Sequence, residues 1–175
     1  SRQSHRGFSS AKHVSKENIE LPPYYPDHPV TRKDWAGYFG SVNKFDAQVG
    51  AILKKLEADH LDENTIVCVF SDHGRPMIRG KNWLYDSGTR IPLIMDYPKN
   101  GKKPDGYQTG KEHSELLGSV DLVAETVLMG GGSIPGWMQG RSFLQNDSSP
   151  RQYIHTAVDR IGDIDSCSRA VRTAR

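Results

Sequence analysis

Cysteine is scarce in this chain. Only Cys68 and Cys167 occur among 175 residues, too few for a disulfide framework. Cys68 stands inside an apolar run and is read as a small buried hydrophobe. Neither sign of charge is in excess: 23 Lys and Arg against 21 Asp and Glu leave a net +2. That balance gives no electrostatic case for nucleic acid or a membrane surface as partner. No apolar run approaches the roughly 20 residues of a membrane span. No signal-peptide pattern opens the chain, and there is no internal repeat or low-complexity segment. The chain begins at Ser1 and not at Met, so a preceding segment is expected, and the compartment stays open.

What is present suits one soluble domain of ordinary composition, 35% hydrophobic and 25% charged, long enough to bury a core. Residues 1 to 30 are polar and proline-rich, with "LPPYYPDHP" extended and turn-prone. From Thr31, with Asp34 as cap partner, a long helix is expected. Trp35, Tyr38, Phe39, Val42, Phe45, Val49, Ile52, Leu53 and Leu56 recur at three- and four-residue spacing. "LDENT" ends that helix. "TIVCVF" and "RIPLIMD" read as short strands buried on both faces, as in a parallel sheet. A second helix is expected from Ser119 to Met129, stopped by "GGGSIPG". "RQYIHTAV" and "RAVRTA" read as two further strands. Strands interleaved with helices predict a layered α/β architecture.

At the end of the first strand, "VFSDHG" places Asp72 and His73 side by side. Neighbours in a strand point to opposite faces. They converge only where the strand breaks, and Gly74 supplies the break. A carboxylate and a neutral imidazole are both competent metal ligands, and ligands gather beyond the carboxyl ends of strands in open α/β sheets. The dipeptide alone equally suits a turn at Asp72 followed by an exposed loop histidine. Lys81 is by the same measure an ordinary surface lysine, and His5 a frayed terminal residue.

"SDHG" followed by "RGKNWLYDSGTRIPLI" resembles the metal-and-lysine segment of the sulfatases, within the alkaline phosphatase superfamily. "SHRGF" at 4 to 8 is similar to an upstream histidine motif of that family. "PPYYPDHPVTRKDWAGYFGSVNKFDAQVGAILKKLEADHLDENTIV" resembles its linker, long helix and strand. "SVDLVAETVLMGGGSIPGWMQGRSFL" resembles a later helix and Gly-Arg-Ser-Phe turn. The flavour is that of bacterial heparan-type, N-sulfoglucosamine-type enzymes. The resemblance implies an α/β/α layered fold with a mixed, mainly parallel sheet, alkaline-phosphatase-like. It implies that Asp72 and His73 hold a divalent metal, usually Ca2+. Many sulfatases have Asn at the second position, while some, and the related phosphonate monoester hydrolases, have His. An imidazole there shifts the choice towards Zn2+ or Mn2+. Lys81 falls at a sulfate-contacting lysine and His5 at a histidine near the scissile oxygen, both catalytic and substrate-binding. Ser4 stands where an Asp-Pro pair often precedes that histidine. Tyr85, Asp86 and Gly88 match a scaffold turn.

The family's nucleophile segment, Cys or Ser followed by x-Pro-x-Arg and oxidised to formylglycine, is missing. "SIPGW" has Trp137 where Arg is required, "SSPRQ" brings Arg151 one residue early, and "CSRAV" lacks the proline. The chain is therefore read as one partial catalytic domain over 1–175, without the nucleophile part and the C-terminal subdomain. As a portion of a sulfuric ester hydrolase it is expected to be inactive alone and to bind metal poorly. Its expected substrate, in a parent protein, is a sulfated small molecule or glycan, and its exposed sheet edge is expected to favour a homo-oligomer. Two other readings stay open: a phosphonate or phosphate monoester hydrolase of the same superfamily, and a non-catalytic folded module. Family members are often periplasmic, secreted or lysosomal.

Overall fold

A computed structural model of the chain describes residues 14–145 and 149–174. The chain forms two compact units, Ser1–Thr65 and Ile66–Arg175.

The first unit is organised on one helix, α1, Pro29–Ala58. It starts two residues before the expected Thr31 because His28 and Pro29 do the capping. Proline at the first helical position lacks only an N–H that would be orphaned anyway. The His28 side chain accepts from the Val30 N–H at 3.2 Å. Arg32, one turn in, fastens the proline-rich segment to the helix. Its Nε donates to Asp27 Oδ1 at 2.5 Å and its Nη2 to Asp27 Oδ2 at 2.8 Å. Its Nη1 reaches the carbonyls of Lys16 and Ile19 at 3.0 and 3.2 Å. Trp35 is buried, with the Tyr25 ring edge-on at 5.4 Å. Beyond Gly40 the expected stripe continues, but Val42, Phe45, Ile52 and Leu53 are exposed. The helix stops on a left-handed residue, His60 at φ 56°, a position more often glycine. Leu61 N–H bonds back to Leu56 O at 2.9 Å and His60 N–H to Glu57 O at 3.1 Å, closing two of the orphan carbonyls.

In the second unit, β1 (Val67–Phe70) pairs with β2 (Leu93–Asp96), in register Val67↔Asp96 to Phe70↔Leu93. The pair is antiparallel, where a parallel arrangement was expected. Parallel strands need a crossover, usually a helix. The segment between these two holds only the four-residue α2, Asp86–Thr89. Both strands are half-exposed, with Phe70 and Ile94 open to solvent. Among the described residues this sheet has two strands, so β1 is an edge and not a central strand. Burial pushes the Cys68 thiol up, as suits a cysteine packed as a hydrophobe.

α3, Ser119–Met129, has the expected bounds. β3 (Tyr153–Ile161) and β4 (Ile164–Thr173) form the two C-terminal strands as an antiparallel hairpin, with a bulge between Val158 and Arg160. Two residues connect them. Gly162, at φ 63°, takes the first position, where a primed turn calls for glycine.

The centre of this unit is polar. Asp121 and Glu125, one turn apart on α3, are its largest fully buried side chains, while Val120 and Val123 face solvent. Asp121 closes the helix start by accepting from the Gly118 N–H at 2.9 Å, and accepts from the Arg141 N–H at 3.0 Å. Arg151 grips it as a fork, Nε to Oδ2 at 2.6 Å and Nη2 to Oδ1. Glu125 Oε2 accepts from Ser142 Oγ at 2.8 Å and the Phe143 N–H at 3.0 Å. The "GRSFL" segment is thus strung along α3 by two carboxylates, and Gly140 lies so close to Val120 O that no Cβ would fit. Arg151, of the near-miss "SSPRQ", is committed to this scaffold.

Burial would by itself raise the Asp121 carboxyl, but the Arg151 fork and the two backbone N–H groups hold it below its ordinary 3.8. A group depressed by folding stabilises the fold above its unfolded value, and that stability is lost as pH falls through the folded one. In urea unfolding at neutral pH, Arg151→Met should cost about 3 kcal/mol, the lower end for breaking a buried pair, since two donors remain. The stability gap between the parent chain and Asp121→Asn should narrow as pH drops below 3.8. A gap independent of pH would contradict the ion pair.

Candidate functional site

The site begins where β1 ends. Ser71 Oγ donates to His73 O at 2.6 Å and turns the chain. Asp72 then projects into solvent, its side chain 84% exposed, and His73 Nε2 lies 3.5 Å from Asp72 Oδ2. His73 Nδ1 lies 2.8 Å from Gly74 O. A carbonyl only accepts, so Nδ1 carries the hydrogen, and in the neutral ring the Nε2 lone pair is left facing Asp72. An imidazole nitrogen and a carboxylate oxygen so placed can share one cation, with the backbone carbonyl orienting the ring. The strand break expected at Gly74 does bring the two side chains together.

The rest of the loop is held by contacts between backbones. Gly74 N–H donates to Gly88 O at 2.9 Å, Lys81 N–H to Arg75 O at 2.8 Å, and Gly80 N–H to Met77 O at 2.8 Å. A Cβ on Gly74 would strike Ser87 O. One on Gly80 would strike Arg75 O, and one on Gly88 would strike both Trp83 O and Gly80 O. Each glycine is thus a point where two stretches of chain touch with no room for a side chain. Arg79 and Asn82 flank Gly80–Lys81 at φ 61° and 72°, a costly left-handed backbone for non-glycine residues. Ser87 Oγ secures Arg79 O at 2.5 Å. Lys81 is half-buried and makes no ion pair among the described residues.

Asp72 and His73 therefore meet, and Lys81 is carried on the same braced loop. His5 lies outside the described residues. Among the described residues no group of three or more His, Cys, Asp or Glu side chains could hold a metal. Asp72 and His73 are chemically apt for a divalent cation, but supply two donors where calcium takes about six to eight and zinc about four.

Three residues escaped the sequence reading. Arg172, on the half-buried face of β4, meets Asp86 of the scaffold turn, Nη1 to Oδ1 at 3.0 Å and to Oδ2 at 2.9 Å. The pair spans 86 positions and has no local signal. Asp121 and Glu125 did carry one: acids spaced i, i+4 in a helix short of other polar groups.

The model of the family described as Sulfatase matches residues 1–129. An ulvan-active sulfatase of Formosa agariphila is 34% identical over 166 residues, covering 94% of this chain and 27% of the relative. An arylsulfatase of Clostridium perfringens is 32% identical, over 69% of this chain and 26% of its own length. Human N-sulphoglucosamine sulphohydrolase is 31% identical over 49% of this chain and 17% of its own. The chain thus spans about a quarter of the length of the first two of these relatives. The matches run through the Asp72–Gly88 loop in its family context, and the chain belongs to the sulfatase family.

Proposed function

We propose that this chain is a portion of a sulfatase catalytic domain whose parent protein hydrolyses sulfate esters. In the parent the fold would be the layered α/β/α, mainly parallel arrangement of the alkaline phosphatase superfamily, with β1 flanked by strands outside the 175 residues. The observation that carries the reading is the Asp72–His73 pair, 3.5 Å apart, on a glycine-braced loop that also bears Lys81.

In this reading Asp72 and His73 supply part of a divalent metal site, for Ca2+ or, favoured by the imidazole, Zn2+ or Mn2+. When bound, the metal would supply positive charge against the ester and nucleophile oxygens. Lys81 binds the ester and stabilises negative charge on its oxygens with an ammonium held by a rigid backbone. His5 donates a hydrogen bond or proton to the departing oxygen. The nucleophile, a formylglycine, would come from outside these residues, so the chain alone binds and polarises but does not turn over. The names of the relatives point towards sulfated saccharides: ulvan and sulphoglucosamine. His73 also favours a second reading, a phosphonate or phosphate monoester hydrolase of the same superfamily. No described helix is long and apolar enough to cross a membrane.

Purified chain should show no turnover of an aryl sulfate above buffer; turnover abolished by Lys81→Ala would refute the need for an outside nucleophile. Calorimetric titration with Ca2+, Zn2+ or Mn2+ should give affinities weaker than about 1 μM, as two donors allow. Sub-micromolar binding lost in Asp72→Ala would mean that a fuller ligand set is present. The exposed apolar positions of α1 and the open edges of β1 and β2 should drive self-association. Light scattering would register a mass above 19.5 kDa; a clean monomer at high concentration would contradict it.

A further inference from the structure

The C-terminal hairpin reaches the scaffold turn of the site through Arg172. This residue pairs with Ile154 at the open end of the hairpin. Its Nη1 lies 3.0 Å from Asp86 Oδ1 and 2.9 Å from Oδ2. That end of the hairpin is anchored, because Arg151, just before β3, forks onto Asp121 of α3. The guanidinium is thus offered from a strand already held in place, and less freedom is lost in forming the pair. Asp86 needs such a hold. It opens α2, which is four residues long and has no side-chain cap at Tyr85. A helix of that length does not persist by itself.

What α2 delivers to the site is the Gly88 carbonyl. It accepts from the Gly74 N–H at 2.9 Å. Ser87 O and Gly88 Cα press on Gly74 so closely that no side chain cushions the contact. Gly74 in turn offers its own carbonyl to His73 Nδ1 at 2.8 Å. A displacement of Asp86 therefore reaches the imidazole through backbone groups in direct contact.

We infer that Arg172 is a positioning residue for the Asp72–His73 pair, acting through Asp86 and Gly88 on Gly74, whose carbonyl sets the His73 ring. That this pair holds a metal rests on the sulfatase reading; the link from hairpin to imidazole does not. Ligand side chains work only when held within about 0.5 Å of their productive geometry, and groups behind them commonly do the holding. A half-exposed ion pair contributes little to overall stability. The effect of Arg172 accordingly falls on where the ring sits and not on whether the chain folds.

Amide exchange and the histidine ring nitrogens, followed by nuclear magnetic resonance on the 175-residue chain without metal and then with Zn2+, test this. In Arg172→Met the Gly74 N–H should exchange about threefold faster, the scale of a half-exposed ion pair, and the His73 Nδ1 resonance should move. The Arg141 N–H, bonded to Asp121, should exchange as before. Arg172→Lys keeps the charge and should show a smaller change. Asp86→Ala should match Arg172→Met, and combining the two should add nothing further, because both break one link. Unchanged Gly74 exchange and an unmoved Nδ1 in Arg172→Met would overturn the inference. So would additive effects in the double variant, or an equal loss of protection at Arg141, which marks a tie of the whole unit. A Gly74 coupled to Arg172 with a His73 Nε2 indifferent to Zn2+ would support the positioning role and overturn the metal reading. An uncoupled Gly74 with an Nε2 that shifts in Zn2+ would do the reverse.

Discussion

The hydrogen bond from Gly74 N–H to Gly88 O holds the arrangement of the site together. It closes the loop that starts at Asp72 onto the turn that ends at α2, with the carbonyl of Ser87 against the Cα of Gly74. Everything with chemistry on it lies within or beside that closure: the Asp72–His73 pair and Lys81. A side chain at Gly74, Gly80 or Gly88 would force two backbones apart, and the groups they carry would move with them. The left-handed Arg79 and Asn82 are the strained residues of this closure, flanking the lysine whose position it determines.

Around this loop the second unit is tied by charge as much as by apolar packing. Arg151 on Asp121 anchors the start of the C-terminal hairpin, and Arg172 on Asp86 anchors its end to the turn behind the site. The two ties differ in kind. The first is buried and shared with backbone donors, so losing one partner strands a charge. The second is half-exposed and worth little in stability; what it contributes is orientation of the turn that contains Gly88. Tyr97, pushed up to about 12 first by burial and then by Glu125, stays neutral against this polar centre, its ring 4.6 Å from that of Tyr107.

How much of this was legible in the sequence depends on how local the cause is. α3 declared its bounds because its apolar spacing and the glycines after it are contiguous. The strands were legible for the same reason. Their pairing was not, since an apolar run such as "TIVCVF" says that a strand is covered but not by which neighbour. α1 was legible as a helix and misread at its start, because His28 as cap and Pro29 at the first position outcompeted the Thr31–Asp34 pattern. Asp72, His73 and Gly74 were found because a strand end, two ligand types and a chain break coincide within three residues. Asp121 and Glu125 were overlooked because acids on a helix normally face water, and what buries these, Arg151 and the 140–145 segment, lies many residues away.

The central claim is that the loop presents the Nε2 lone pair of His73, beside the Asp72 carboxylate, as a ready ligand. Two-dimensional proton–nitrogen spectroscopy of the histidine ring measures this directly. Without metal, Nδ1 should carry the ring hydrogen that meets the Gly74 carbonyl, and Nε2 should shift when a divalent cation is added. A ring protonated at Nε2, or a cation response confined to Nδ1, would contradict it.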